Sequence, residues 1–220
     1  IQTSAGDGKD LDEHTHPVYE GHPTLAPVAI EELNRQEPEE VGSLPNPEPT
    51  YQPIGAYPIL DNLQAVLGTS VILIPIPRGQ KGPRTKGWQN ITQAQMQAPS
   101  YQAQLASGNI GVLLGAASGG LCAVDVDSDE ELEAFLSLNP TLRETLITKG
   151  ARGGQIWCFV RGEYPPLTKL STNTGQDYGE WRADGGQSVV HGIHPTGVSY
   201  QRLNDAPPVT ISFDQIVWPT

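Results

Sequence analysis

The sequence predicts an α+β fold rather than a doubly wound parallel sheet. Strand-like and helix-like segments are mixed along the chain, and turn signals such as Asp184-Gly185-Gly186 indicate hairpins between strands. With 220 residues, the chain can bury a substantial hydrophobic core. Its apolar runs stay well short of the roughly 20 residues that cross a bilayer, which excludes a membrane-spanning protein.

Residues 1–55 are predicted to form an acidic, proline-rich tail or linker that is largely irregular. They carry 11 acidic and 2 basic residues and 8 of the 20 prolines, so they bury too little apolar surface to order. Residues 56–220 are predicted to form the catalytic domain. Within residues 56–120, Asp61 is the single acid against four bases, so the overall charge of −12 does not exclude a nucleic-acid partner.

The segments predicted in the first part of this domain are a helix at Ile59–Leu67, a strand at Val71–Ile76, a helical stretch at Thr92–Ser107, and strands at Ile110–Leu114 and Leu121–Asp127. The first helix is periodic and ends at Gly68, a residue favoured after the last helical turn. The strands are β-branched and apolar, which is typical of buried strands. The helical stretch is expected to be interrupted near Pro99.

The clearest helix begins after Ser128 and runs to Leu138. Ser128 is a good N-cap residue, and Glu131 lies three positions later, which predicts a capping box. Asn139-Pro140 ends this helix. Further strands are predicted at Gln155–Arg161, Tyr178–Ala183, Gln187–His191, Val198–Arg202 and Val209–Phe213, the second and third of these forming a hairpin.

Two cysteines, Cys122 and Cys158, lie inside apolar strand-like runs. This pattern predicts two buried thiols rather than a disulfide framework, and the chain has no CxxC pair for zinc or redox chemistry. A reducing, cytoplasmic setting is expected.

A paired-acid motif, Asp125 and Asp127, ends the third strand. Alternate side chains of a strand share a face, which places the two Cα atoms about 7 Å apart. Like charges at that distance repel unless a cation neutralises them, and hard oxygen ligands suit Mg²⁺ or Mn²⁺, which also bind phosphate oxygens. The alternative is an acidic strand end at which Asp127 caps the next helix.

Glu180, on a later predicted strand, is the third candidate ligand. Two-metal phosphoryl transfer requires several carboxylates that converge from different strands. The alternative is a surface residue paired with Arg182. Asp184 competes for the same role, but its Asp-Gly-Gly context favours a turn.

A glycine-rich basic loop at residues 149–154 runs into a strand and suits an anion. Backbone amides freed by glycine, with a neighbouring Arg or Lys, form an anion cradle, although no P-loop pattern occurs in the chain. Two later histidines are candidates for phosphate or template contact, with turn formation and core packing as the alternative. The predicted nucleotide-binding set is Lys149, Arg152, Gly153, Gly154, Arg182, His191 and His194.

A second basic loop, residues 77–88, combines four cations with an aromatic side chain. This mixture suits the backbone and bases of a nucleic acid, with a solvated loop as the alternative. The predicted nucleic-acid-binding residues are Arg78, Lys81, Arg84, Lys86 and Trp88.

Over residues 56–220, the ordered series of these segments resembles the bifunctional primase–polymerase domain of the archaeo-eukaryotic primase superfamily. The segments that carry the resemblance are Gly87-Trp88, Asn109–Gly115, Ser118–Asp127, Arg152-Gly153-Gly154, Glu180–Gly186, and His194–Gly197 ahead of Tyr200. The resemblance implies an RRM-like catalytic sheet beside a smaller α/β lobe. It also implies template-directed nucleotidyl transfer with DNA and nucleoside triphosphates, often upstream of a helicase in plasmid or phage replication.

The resemblance assigns metal-binding and catalytic roles to Asp125, Asp127 and Glu180. The chain departs from the family at one position, because a histidine usually stands two residues after the glycine pair and Ile156 stands here. That histidine is expected to contact the phosphate of the incoming nucleotide, so the role passes to Arg152, His191 or His194, or activity is lost.

The leading hypothesis is a metal-dependent DNA primase/polymerase of a mobile element, using Mg²⁺ or Mn²⁺ and acting on a DNA template and primer. One alternative is a catalytically degenerate module that binds nucleotides or DNA and recruits a helicase. Another is a metal-dependent nuclease that uses the same acids with water as nucleophile.

Overall fold

The structure is a computed structural model that describes residues 57–220. The tail predicted for residues 1–55 lies outside the described residues. The α-helices are α1 Pro58–Leu67, α2 Gln93–Met96, α3 Pro99–Ala106 and α4 Asp129–Leu138. The strands are β1 Ile72–Ile76, β2 Asn109–Leu113, β3 Leu121–Val126, β4 Ile147–Lys149, β5 Gly154–Arg161, β6 Thr168–Ser171, β7 Asp177–Arg182, β8 Gln187–His191, β9 Gln201–Arg202 and β10 Val209–Ser212.

The predicted α+β class is confirmed, with the strands arranged in two sheets. A small sheet has the order β1-β2-β8, and a large sheet has the order β6-β7-β3-β5-β4-β9, with β10 beside β5. All pairings are antiparallel except that of β10 with β5. None of the described helices is long and apolar enough to cross a membrane.

The central strands of the large sheet are buried on both faces. On β3, Cys122, Val124 and Val126 pack toward α4, while Leu121 and Ala123 belong to a second core cluster. That second cluster also includes side chains of α1, α3 and the small sheet, so the two sheets share one apolar interior. The alternation of side chains along a strand therefore leaves Asp125 on the face that looks toward the small sheet.

The predicted hairpin between Tyr178–Ala183 and Gln187–His191 is wrong. Strand β7 pairs with β3 and β6 of the large sheet, whereas β8 pairs with β2 of the small sheet. The turn at Asp184-Gly185 carries the chain from one sheet to the other, and the Asp184 carboxylate accepts the Ala116 N–H at 2.6 Å. Asp184 therefore has a structural role in the turn.

The N-cap predicted at Ser128 is present, but only one half of the capping box forms. The Ser128 hydroxyl accepts the Glu131 N–H at 3.2 Å, and the Glu131 carboxylate accepts the Ser128 hydroxyl at 2.9 Å instead of its backbone N–H. The strand predicted at Val198–Arg202 is shortened to Gln201–Arg202. Two strands escaped prediction, Ile147–Lys149 and Thr168–Ser171.

Candidate active site

Asp125 and Glu180 face each other across neighbouring strands. They are direct register partners in the β3–β7 pairing, so their side chains lie on the same face of the sheet. The Arg182 guanidinium joins them through one nitrogen, with Nη2 2.6 Å from Asp125 Oδ2 and 3.0 Å from Glu180 Oε2. The result is a carboxylate–guanidinium–carboxylate arrangement in which Arg182 and Asp125 are about a quarter exposed and Glu180 about a third. It joins one acid of the predicted Asp125–Asp127 pair to the third candidate acid, and it also contains the predicted alternative, a Glu180–Arg182 ion pair.

Burial dominates the electrostatics of Asp125. It raises the pKa of the Asp125 carboxyl above its usual range, more than Arg182 and Lys81 lower it. The neighbouring Asp127 charge raises this pKa further. A cation brought close to Asp125 would therefore favour its ionised form.

A short hydrogen-bonded chain orients Gln155, the register partner of Asp125 on β5. The Trp157 indole donates to the Thr148 hydroxyl at 2.9 Å, and that hydroxyl donates to Gln155 Oε1 at 3.3 Å. Because Gln155 Oε1 already accepts the Thr148 hydroxyl, the amide NH₂ of Gln155 is the group that donates to the Asp125 carboxylate. This hydrogen bond from Gln155 lowers the pKa of Asp125. The buried tryptophan thus fixes which end of the amide faces the carboxylate.

Asp127 lies just beyond the end of β3 and is exposed. Its N–H donates to the Tyr178 carbonyl at 3.0 Å, which continues the β3–β7 ladder by one residue and keeps Asp127 on the Asp125 face. Within residues 57–220, no group of three or more His, Cys, Asp or Glu side chains is placed to hold a metal ion. Asp125 and Glu180 are brought together, but Asp127 does not complete a three-acid cluster with them.

A cleft opens beside Asp125 between the large and small sheets. It is lined by charged, polar and loop residues, namely Lys81, Asp125, Thr148, Gly150, Ala151, Arg152, Gly154, Gln155, Arg182, Val189, His194 and Tyr200. Four of the predicted nucleotide-binding residues are thus at one site, Arg152, Gly154, Arg182 and His194. Three cationic side chains in a cleft beside two carboxylates suit an anionic ligand that also carries a metal ion.

Lys149 and Gly153 take a different position from the other predicted nucleotide-binding residues. The Lys149 ammonium lies 2.7 Å from the Asp129 carboxylate, and the Gly153 N–H donates to the same carboxylate at 2.8 Å. Neither Lys149 nor Gly153 is among the described residues that line the cleft. The structure therefore separates the anchors of the glycine-rich loop from the residues that line the cleft.

The two candidate histidines differ in position. His194 lines the cleft, and its ring packs edge-on against Tyr200 with the centroids 5.8 Å apart. Gly150 lies under both rings, so a Cβ there would approach each of them to 3.2 Å. His191 is half-buried on β8, and burial together with Arg202 lowers the pKa of its imidazole.

The second basic loop does not act as a single surface. Lys81 lies in the cleft, whereas Arg78 and Arg84 line a separate pocket beyond the end of β1. Trp88 is half-buried against Ile72, Ile74 and Leu113, which gives it a packing role. Lys86 is exposed.

Asn109 ties this loop to the loop that carries His194. Its amide NH₂ donates to the carbonyls of Gln80 at 2.9 Å and Ile193 at 2.7 Å, and its Oδ1 accepts the Ile193 N–H at 2.8 Å. Asn109 is fully buried, and its three side-chain hydrogen bonds are all to backbone groups. The backbone next to Lys81 and the backbone next to His194 are therefore held by the same side chain.

Ile156, which stands where the resemblance expects a histidine, faces away from the cleft. It is fully buried in the core cluster beneath α4, with Cys158 and Val160 on the same side of β5. The side chain of β5 that reaches the cleft is Gln155. Cys122 and Cys158 are both free and buried, as predicted.

Sequence reasoning missed several residues of the site. They are Asn109, Asp129, Thr148, Gln155 and Tyr200, and Lys81 was assigned to nucleic acid rather than to the cleft. Gln155 had a signal, since it alternates with buried Ile156 next to a glycine pair. The other missed residues depend on contacts between segments that are distant in the sequence, and local sequence patterns do not predict such contacts.

Comparison with protein families gives a match to the model described as "Bifunctional DNA primase/polymerase, N-terminal", over residues 63–212. The matched range contains both sheets and every cleft residue named above. Comparison with curated proteins gives no match to this sequence.

Proposed function

Since the chain belongs to the bifunctional DNA primase/polymerase family, we propose that it catalyses metal-dependent, template-directed nucleotidyl transfer in the cleft that Asp125 lines, with Glu180 beside it (the Asp125–Glu180 cleft). Membership of the family supports primase/polymerase chemistry in general. The observation that carries the assignment to this cleft is the direct pairing of Asp125 with Glu180 across β3 and β7, beside three cationic side chains. We place the reaction in replication of a plasmid, phage or other mobile element.

The proposed cofactor is Mg²⁺ or Mn²⁺. Carboxylates on neighbouring strands are the donors that these hard cations prefer, so Asp125 and Glu180 fit such an ion. The exposed Asp127 would have to move toward them to serve as a further ligand. When bound, the ion neutralises charge on the transferred phosphoryl group and activates the primer 3′-hydroxyl. Because Arg182 contacts both carboxylates, it has to release at least one of them to admit the ion.

The protein's own contribution is to hold the triphosphate and the two carboxylates in place. Arg152 and Lys81 line the cleft from different loops, one from the glycine-rich loop and one from the basic loop. The planar guanidinium of Arg152 suits bidentate binding of phosphate oxygens, and Lys81 supplies a point charge. The edge-to-face pair of His194 and Tyr200 forms an aromatic wall that suits contact with a base or sugar.

One observation favours the second candidate, a degenerate module that binds nucleotides or DNA and recruits a helicase. Arg182 already forms ion pairs with both carboxylates, and the cleft side of β5 presents Gln155 rather than a histidine. Such a module would bind nucleotide without turning it over.

The experiment that separates these functions incubates the protein with a single-stranded DNA template, labelled deoxynucleoside triphosphates and Mn²⁺. New or extended labelled strands support the proposed polymerase. Nucleotide binding without any product supports the degenerate module, and shortened template supports a nuclease. Either of the last two results overturns the proposal.

A further inference from the structure

The glycine-rich loop, residues 149–154, is clamped at both ends by one carboxylate. Asp129, the first residue of α4, accepts the Gly153 N–H through Oδ1 at 2.8 Å and binds the Lys149 ammonium through Oδ2 at 2.7 Å. The two anchor points flank Gly150, Ala151 and Arg152, which line the cleft. The residues held by Asp129 are therefore those on either side of the segment that lines the cleft.

The loop is also pressed closely against the end of β3. Gly153 has a φ of +60°, and a Cβ at this position would collide with the carbonyl oxygen of Val126. This close approach requires glycine and brings the loop alongside the strand that carries Asp125. The position of the loop relative to Asp125 therefore depends on the close contact between Gly153 and Val126, and the hydrogen bond from Gly153 to Asp129 stabilises that contact.

We propose that Asp129 is a positioning residue that fixes the glycine-rich loop, and with it Arg152, for binding the triphosphate. The inference rests on the proposed function, since it assigns the loop to the nucleotide of that reaction. Asp129 does not line the cleft, so its effect passes through the loop rather than through contact with substrate. Lys149 is accordingly a loop anchor and not a nucleotide ligand.

Asp129 holds the loop through an ion pair with Lys149 and a hydrogen bond from the Gly153 N–H. Different substitutions of Asp129 can test these two interactions separately. Asp129→Asn keeps an oxygen that accepts the Gly153 N–H but loses the ion pair with Lys149. Asp129→Ala loses both bonds. Glu130→Gln is the matched control, because it removes one negative charge from the same helical turn, and no described hydrogen bond or ion pair joins the Glu130 side chain to the loop.

Two readouts test the proposal, the steady-state kinetics of nucleotide incorporation and the binding of a fluorescent deoxynucleoside triphosphate without turnover. We expect Asp129→Ala to raise KM about tenfold, with kcat within about twofold of wild type, and to weaken nucleotide binding to the same extent. Asp129→Asn should raise KM only about threefold, and Glu130→Gln should match wild type. Thermal unfolding of each variant verifies folding, and Asp129→Asn provides the test if the alanine variant does not fold.

An Asp129→Ala protein that is folded, active and unchanged in KM and nucleotide binding overturns the proposal while leaving the proposed function intact. A fall in kcat alone also overturns it, since that would place Asp129 in the chemical step. A wild-type protein that neither binds nucleotide nor extends a primer overturns the proposed function itself, and this inference with it.

Discussion

The guanidinium of Arg182 lies 2.6 Å from the carboxylate of Asp125, and the same nitrogen also reaches Glu180 at 3.0 Å. Arg182 is thus the counterion of the two acids that the proposed chemistry assigns to a divalent cation. Its place in the sequence, two residues after Glu180 on the same strand, puts it on the same face as the two acids it contacts.

Replacing Arg182 by alanine should destabilise the protein by about 1–2 kcal/mol, because two facing carboxylates lose their counterion. The figure is below that of a fully buried pair, since a quarter to a third of each of the three side chains is exposed. Millimolar Mg²⁺ or Mn²⁺ should restore the melting temperature of Arg182→Ala and should raise the melting temperature of wild type by a smaller amount.

Arg143→Ala is the control for Arg182→Ala, because it breaks an exposed ion pair with Glu133. Its melting temperature should respond to the cation no more than that of wild type does. Equal cation responses in all three proteins would contradict a metal site here.

Replacing Asp125 by asparagine should leave the melting temperature at neutral pH unchanged or higher. The pKa of Asp125 is raised in the folded state, so the stability that its neutral form contributes at low pH is lost as the pH rises through that value. Asparagine at this position does not ionise, so the variant does not lose stability in this way as the pH rises. The advantage of the variant should therefore disappear below about pH 4, where aspartate is neutral in both states. Thermal unfolding against pH measures this, with exposed Asp214→Asn as the control; a variant that is several degrees less stable at neutral pH would refute the argument.

Replacing Asn109 by alanine should cost about 2–3 kcal/mol of folding free energy and weaken nucleotide binding. Three buried hydrogen bonds to two loops are lost together, and the loops carry Lys81 and His194. Urea unfolding and nucleotide KM are the two measurements. Asn204→Ala is a matched control, because Asn204 also bonds backbone groups but lies away from the cleft. If both variants change KM equally, Asn109 has no special relation to the site.

Replacing Arg152 by alanine should raise the nucleotide KM at least tenfold, which corresponds to about 1.5–3 kcal/mol for a charge-assisted hydrogen bond. His194→Ala should have a larger effect than His191→Ala, because His194 lines the cleft. Steady-state kinetics on the three variants decide the question. If none of them changes KM or kcat by more than about twofold, the phosphate site is elsewhere and the degenerate module gains support.

The local patterns of the sequence predict much of the fold and part of the site. The alternation of Cys122, Val124 and Val126 correctly gives the face of β3 that packs against α4, and hence the opposite face as the one that carries Asp125. The glycine-rich loop and Arg152 are correctly placed next to the strand that follows them. These features depend on neighbours within a few residues, which is the range over which periodicity and turn residues act.

Relationships between distant segments are not predictable in this way. The Asp184-Gly185 signal shows that the chain turns but not that β7 and β8 enter different sheets. The short strands β4 and β6 are stabilised by their partners rather than by their own composition. The contacts of Asn109 with residues 29 and 84 positions away, and the clamp by Asp129, likewise arise only when the strands assemble.

The most direct test of the account compares wild-type protein with Asp125→Asn in template-directed primer extension with Mn²⁺, with both proteins verified as folded. The account predicts labelled extension products from wild type and none from the variant, whose melting temperature is preserved. An Asp125→Asn protein that extends the primer at the wild-type rate would contradict the claim that the Asp125–Glu180 cleft is the catalytic site.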